Sequence, residues 1–217
     1  MKDSIIILSG GMDSVTMLYD YADSIALALS FDYGSNHNSK ELPMAAYHCE
    51  RLRIEHIIIP LGFIKQYFHS SLLSGSKDIP EGNYDDENMR STVVPFRNGI
   101  MLSIAAGMAE DRKLGRILMA NHGGDHAIYP DCRPEFVDAM GGAVRNGTYN
   151  HVELFTPYTH LSKSDIARRG KELGIDYSKT WSCYKGGEKH CGKCGTCQER
   201  HQAMLDVGID DPTDYEE

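Results

Sequence analysis

The run Ile5-Ile6-Ile7-Leu8 passes through Ser9-Gly10-Gly11-Met12-Asp13-Ser14 into Val15-Thr16-Met17-Leu18-Tyr19, and this junction constrains the fold more than any other segment. Consecutive apolar residues bounded by small polar ones read as a strand buried on both faces, the kind that parallel sheets contain. The residues after Ser14 read as the first turns of a helix. A strand that enters a helix through glycines presents free backbone amides at the positive end of the helix dipole, which makes an anion site. Ser9 and Ser14 add hydroxyls. The segment lacks the G-x-x-x-x-G-K-[ST] pattern, so no lysine of the loop itself reaches a terminal phosphate.

The rest of the chain repeats the alternation. Strand patterns at residues 4–8, 25–31, 56–59 and 116–120 are separated by helical patterns at 13–22, 39–52 and 98–113. Such alternation predicts an α/β fold, a doubly wound parallel sheet with right-handed crossovers and helices on both faces. Ligands then sit beyond the C-terminal ends of the strands. Three polar loops leave such ends: Ser9 to Ser14, Asp32-Tyr33-Gly34, and Asn121-His122-Gly123-Gly124-Asp125. They are expected to converge on one crevice.

The chain has 217 residues, which allows one well-buried α/β unit at 1–160 and a smaller helical, metal-binding module at 161–217 packed on it. In the second part Ser162 is an expected N-cap, with Asp165 completing the box, and Gly174 ends the helix. Segment 70–92 is polar, rich in Gly, Asp and Asn, and without sustained period, and it reads as a mobile lid or a surface insertion. The net charge of −9 disfavours a nucleic-acid-coating role. No apolar run approaches membrane-spanning length and no signal-peptide pattern opens the chain, so the cytoplasm is the expected compartment and no membrane partner is expected.

Cys183, Cys191, Cys194 and Cys197 form C-x7-C-x2-C-x2-C. Tetrahedral zinc takes four thiolates at about 2.3 Å, and a C-x2-C knuckle presents two from one turn. Four thiolates leave no open position, so the expected Zn2+ is structural. An iron–sulfur cluster or a redox pair draws on the same residues, and zinc is preferred. His190 could replace one ligand.

These segments carry a family resemblance. The first loop resembles the S-G-G-x-D-S loop of the N-type ATP pyrophosphatases. The loop together with Phe31-Asp32-Tyr33-Gly34, Phe96-Arg97-Asn98, Tyr129-Pro130-Asp131-Cys132-Arg133-Pro134-Glu135-Phe136, Thr180-Trp181-Ser182-Cys183-Tyr184, the cysteine knuckle and Asp211-Pro212 resembles the 7-cyano-7-deazaguanine synthases of queuosine precursor biosynthesis, essentially end to end. Ser35-Asn36 departs from the family, which has a Gln-Arg pair there.

The resemblance implies a sheet of the adenine-nucleotide alpha-hydrolase-like type, known by its pyrophosphate loop. It also implies a ligase that joins 7-carboxy-7-deazaguanine and ammonia at the expense of ATP, with Mg2+ accompanying the nucleotide. Leu8, Ser9, Gly10, Gly11, Met12, Asp13 and Ser14 are then expected to bind ATP, Asp13 being a candidate magnesium contact. Arg97 and Lys163 are expected to join Asp13 and Ser14 in catalysis by bracing phosphate or carboxylate. Asp125, Asp131, Arg133 and Glu135 are expected to bind the base, since a carboxylate can accept both donors of a guanine-like edge. His122 is a further candidate for handling the protons of ammonia. A homodimer is compatible with the sequence. Rival readings are a tRNA-thiolating or amidating ligase with the same loop, and a zinc-stabilised adaptor with a disused nucleotide fold.

Overall fold

The computed structural model describes residues 2–76, 79–82 and 87–216. Its sheet has five strands in the order β3-β2-β1-β4-β5, all pairs parallel. They are β1 (Ser4–Ile7), β2 (Ile25–Asp32), β3 (Glu55–Pro60), β4 (Arg116–Leu118) and β5 (Glu153–Phe155). Helices α1 (Met12–Asp20), α2 (Asn38–Leu52), α3 (Gly62–Tyr67), α4 (Arg97–Asp111), α5 (Pro134–Gly147), α6 (Lys163–Glu172) and α7 (Gly195–Asp206) connect and follow them.

Alternation along the strands divides the core into two layers. Ile5, Leu27, Leu29 and Ile117 pack on one face with Leu102, Ala105 and Trp181. Ile6, Leu8, Ala28 and Leu118 pack on the other with Val15, Leu18, Ile166 and Met204. The doubly wound parallel architecture read from the sequence is therefore the observed one. Residues beyond 160 enter both layers, so the C-terminal segment shares its core with the sheet. The strand order reverses direction between β1 and β4, and the loops after these two strands flank the switch point, where such sheets bind ligands.

Four elements differ from the expected set, the short α3 among them. Strand β5 has three residues and no readable alternation. Helix α5 begins at Pro134, a good first helical residue, but Gly141, Gly142 and Gly147 dilute its pattern. Helix α7 starts inside the cysteine motif, which reads as turns. Helix α6 follows its reading: the Ser162 hydroxyl accepts from Asp165 N, and Asp165 accepts from Ser162 N in return.

Segment 70–92 is not a free lid where it is described. Leu72, Leu73, Met89 and Thr92 are buried, Leu73 bridges to Ser35, and Glu81 bridges to Cys194. The Thr92 hydroxyl lies 2.8 Å from the Tyr129 hydroxyl inside the fold. Apolar side chains spaced among the polar ones anchor the segment. The part of that reading that falls on residues 77–78 and 83–86 lies outside the described residues.

Candidate active site

A cleft opens beyond the C-terminal ends of β1, β2 and β4, and all three expected loops contribute to its wall. The β1 loop supplies Leu8, Ser9, Gly11, Met12, Asp13 and Ser14. Gly10 turns the chain at φ +101°, a left-handed value, and a Cβ there would lie 2.2 Å from the Glu41 carbonyl oxygen. Only glycine fits that contact. The Ser14 hydroxyl accepts the amides of Ser9 (3.2 Å) and Gly10 (3.3 Å), and Ser9 Oγ accepts the Gly11 amide at 3.0 Å. The two serine oxygens thus satisfy the amides of residues 9–11. Helix α1 begins at Met12 with no side chain capping its amides, which leaves that end open to an anion.

Asp13 sits in the first turn of α1 and meets Lys163, the first residue of α6, with Oδ2 2.5 Å from Nζ. His122 Nδ1 accepts the Gly124 amide, so the neutral ring carries its hydrogen on Nε2. That nitrogen faces Asp13 Oδ2 at 3.8 Å and Asp125 Oδ1 at 3.6 Å. Burial would raise the Asp13 carboxyl, but the Lys163 ammonium, with its hydrogen bond, leads the opposing contributions and the group is held below the usual range. For Lys163, burial disfavours the ammonium while the Asp13 and Glu199 carboxylates favour it and prevail. Asp13 and Lys163 are therefore both ionised at neutral pH.

Apart from Arg97, the side of the cleft away from Asp13 and Lys163 is nearly neutral. Arg97 opens α4, donates to the Tyr33 hydroxyl at 3.0 Å and lies over its ring. Burial works against the Arg97 guanidinium, yet the neighbouring hydroxyls and Asp131 keep it charged. Burial pushes Glu41 up to about 8 although Arg97 pulls it down, and burial together with Arg97 pushes His37 down to about 4. Both are mainly uncharged at pH 7. His37 stacks on Tyr184, with centroids 5.4 Å apart, and Trp181 and Tyr129 complete this side. His37 and Glu41 are not singled out by the sequence. Their spacing of four at the start of a helix, just after a polar strand-end loop, is the signal that could find them.

Among the residues expected to bind the base, Asp125 lines the cleft. Asp131 is buried beneath it: Oδ2 accepts the Asn98 amide at 2.8 Å and so caps α4, while the Asn98 side chain donates to Asp131 O and Cys132 Sγ. Arg133 and Glu135 are not in the cleft wall. Both are exposed; Arg133 donates to the His126 carbonyl, and Glu135 belongs to the first turn of α5. The local chain directs them outward because α5 starts at Pro134 and turns away.

The four cysteines are buried, and their sulfurs lie within 4.8 Å of one another. Lys193 N and Cys194 N point at Cys191 Sγ (3.4 and 3.3 Å), and Cys191 N points at Cys183 Sγ (3.4 Å). Amides aimed at sulfurs suit thiolates, so the donor set fits one tetrahedral metal ion with sulfur ligands. His190 Nε2 is already taken, accepting the Ser182 amide at 3.1 Å, and its ring packs on Trp181. It stands outside the ligand set.

Among the described residues no helix is long and apolar enough to cross a membrane. The chain resembles a solved NMN synthetase from Francisella tularensis with a TM-score of 0.53 at 16% identity, covering 96% of this chain and 78% of that one, which is a likeness of fold. It is 66% identical over 215 residues to a 7-cyano-7-deazaguanine synthase of Porphyromonas gingivalis, covering 99% of this chain and 98% of the relative. A protein of the same name from Desulfotalea psychrophila is 55% identical over 94% of both chains. Another, from Methanoregula boonei, is 48% identical over 98% of this chain and 99% of its own. The family described as queuosine biosynthesis protein QueC matches residues 3–208. With that match and this depth of likeness, the chain belongs to the QueC family, that of the 7-cyano-7-deazaguanine synthases.

Proposed function

We propose that the cleft converts 7-carboxy-7-deazaguanine and ammonia to 7-cyano-7-deazaguanine at the expense of ATP. The observation that carries this reading is the meeting of the uncapped α1 terminus, Lys163 and Arg97 in one crevice with a nearly neutral, aromatic opposite wall. The first group suits a polyphosphate and the second a flat heterocycle.

A carboxylate is a poor electrophile, so one oxygen must become a leaving group. That oxygen attacks the α-phosphorus of ATP and pyrophosphate departs, its charge met by the loop amides and Lys163. Ammonia then adds to the acyl carbon, a proton is lost, and AMP leaves with the original oxygen, giving the primary amide. In a second cycle the amide oxygen attacks another α-phosphorus and pyrophosphate departs, and loss of AMP with that oxygen and of both N–H protons leaves the nitrile. Arg97 braces the α-phosphate in both cycles. Asp125, on the loop after β4, lines the cleft and takes the protons in this reading, whereas His122 is buried and not part of the cleft wall. Asp13 Oδ1 is buried without a hydrogen bond, so Asp13 could hold a Mg2+ that offsets phosphate charge. Cys183, Cys191, Cys194 and Cys197 would hold a structural Zn2+.

The test is mass spectrometry of the products from the acid, ATP and ammonium. About two AMP per nitrile are expected, the amide should accumulate when ATP is limiting, and added amide should be consumed with ATP alone. Amide that accumulates and is never consumed would leave an amide-forming ligase in place of this reaction.

A further inference from the structure

Lys163 has a second acidic neighbour. Nζ lies 3.6 Å from Glu199 Oε2, in addition to its contact with Asp13. Glu199 is not part of the cleft wall, whereas Lys163 is. Its Oε2 is buried and accepts no hydrogen bond, so the contact with Lys163 is electrostatic. Its other oxygen lies against the turn after β4, where a Cβ on Gly124 would stand 2.7 Å from Oε1. Glu199 comes from α7, whose N-cap is Cys194 and whose first turn contains Cys197. The cysteine cluster therefore fixes the helix end from which Glu199 reaches Lys163.

We infer that Glu199 is a positioning residue for Lys163, setting where the ammonium stands at the cleft and linking that position to the four-cysteine cluster. The inference rests on the reading of Lys163 as a phosphate contact. An ammonium is a point charge on a flexible four-carbon stem, with no planar fork to orient it. Asp13, with His122 Nε2 3.5 Å from Nζ on the same side, leaves an arc of positions open to Nζ. A second carboxylate, anchored on a different helix, narrows that arc. The two states of the reaction feel its loss differently. For bound ATP, losing a nearby acid offsets the looser ammonium. In the transition state, charge grows on the departing pyrophosphate, and an ångström of misplacement is felt in the rate.

The experiment is a double-mutant cycle on the full-length, metal-loaded protein, with Glu199→Gln, Lys163→Met and both together. Metal content and melting temperature are recorded for each, with the dissociation constant for a non-hydrolysable ATP analogue and the rate of pyrophosphate release with the deazaguanine acid. Glu199→Gln should keep its metal, change nucleotide affinity by less than about threefold and lower kcat about tenfold. In the Lys163→Met background it should have no further effect, because its role passes through Lys163. A parental kcat for Glu199→Gln overturns the inference. An equal loss in both backgrounds also does, since it would mark a purely structural role, and so does a parental rate for Lys163→Met. Nitrile formation by the parent tests the proposed reaction separately. If the parent makes none, that reaction falls and the same cycle is read on ATP hydrolysis.

Discussion

Replacing Asp131 by alanine separates reading of the base from support of the cleft. The carboxylate accepts the Asn98 amide at 2.8 Å and is 7% exposed, so its removal leaves a partly buried amide at the start of α4 without a partner. A charge-assisted hydrogen bond of this kind is worth about 1.5–3 kcal/mol. At roughly 2–4 °C per kcal/mol for a domain of this size, Asp131→Ala should melt about 3–12 °C below the parent. Asp131→Asn keeps an acceptor and should lose about half as much. Asn98 follows Arg97, so a loosened α4 terminus also displaces the Arg97 guanidinium, the proposed brace of the α-phosphate. Acid activation and amide consumption should therefore slow together, by about tenfold, with the Michaelis constants for the base and for ATP rising by similar factors. Thermal melts and the two half-reactions measured separately check this. A variant that melts with the parent, and is impaired only in its Michaelis constant for the deazaguanine acid, would falsify the capping role and restore Asp131 as a reader of the base.

Elemental analysis should find about one zinc per chain, and Cys194→Ser should lose both metal and solubility, because the cluster lies within the shared core; iron–sulfur absorption in the visible range would overturn the zinc assignment. Asp13→Ala and Ser14→Ala should lower turnover, and each should also lower the melting temperature by a few degrees, since Asp13 pairs with Lys163 and the Ser14 hydroxyl accepts two loop amides; undiminished ATP turnover in both would remove the phosphate-loop reading. Glu41 has its carboxyl raised from 4.5 to about 8, so the folded chain keeps a proton that the unfolded chain releases across that window, and stability is lost as pH rises through it. Glu41→Gln should therefore gain in urea midpoint relative to the parent between pH 5 and pH 8, and a constant difference would show that Glu41 is not held protonated.

The alternating strands and the β1 junction were legible because each rests on a local pattern, an apolar run or a glycine pair, that burial on both faces requires. Strand β5 was not, since three residues carry no period and its place at the sheet edge is set by pairing with β4. The cysteine cluster was legible from spacing alone. Of the expected site residues, those that belong to loop motifs, such as Asp13, Arg97 and Asp125, line the cleft. Arg133 and Glu135 illustrate the limit. They share a motif with Asp131, but neighbours in sequence diverge in direction when a helix starts between them. His37, Glu41 and Glu199 escaped for the opposite reason, because each is an ordinary polar helix residue whose importance comes from what the fold sets across from it.

The uncapped start of α1 has a consequence for how this cleft can be dissected. Its donors are main-chain amides, which every non-proline residue supplies alike. Side-chain substitution can tune or misplace them but cannot delete them, so an alanine scan of residues 9–14 will understate what the loop contributes. The informative perturbations act on the chain itself: a proline at the first helical positions, or an ester in place of an amide, removes one donor at a time. Protection of those same amides from hydrogen exchange when nucleotide is added would read their engagement one residue at a time.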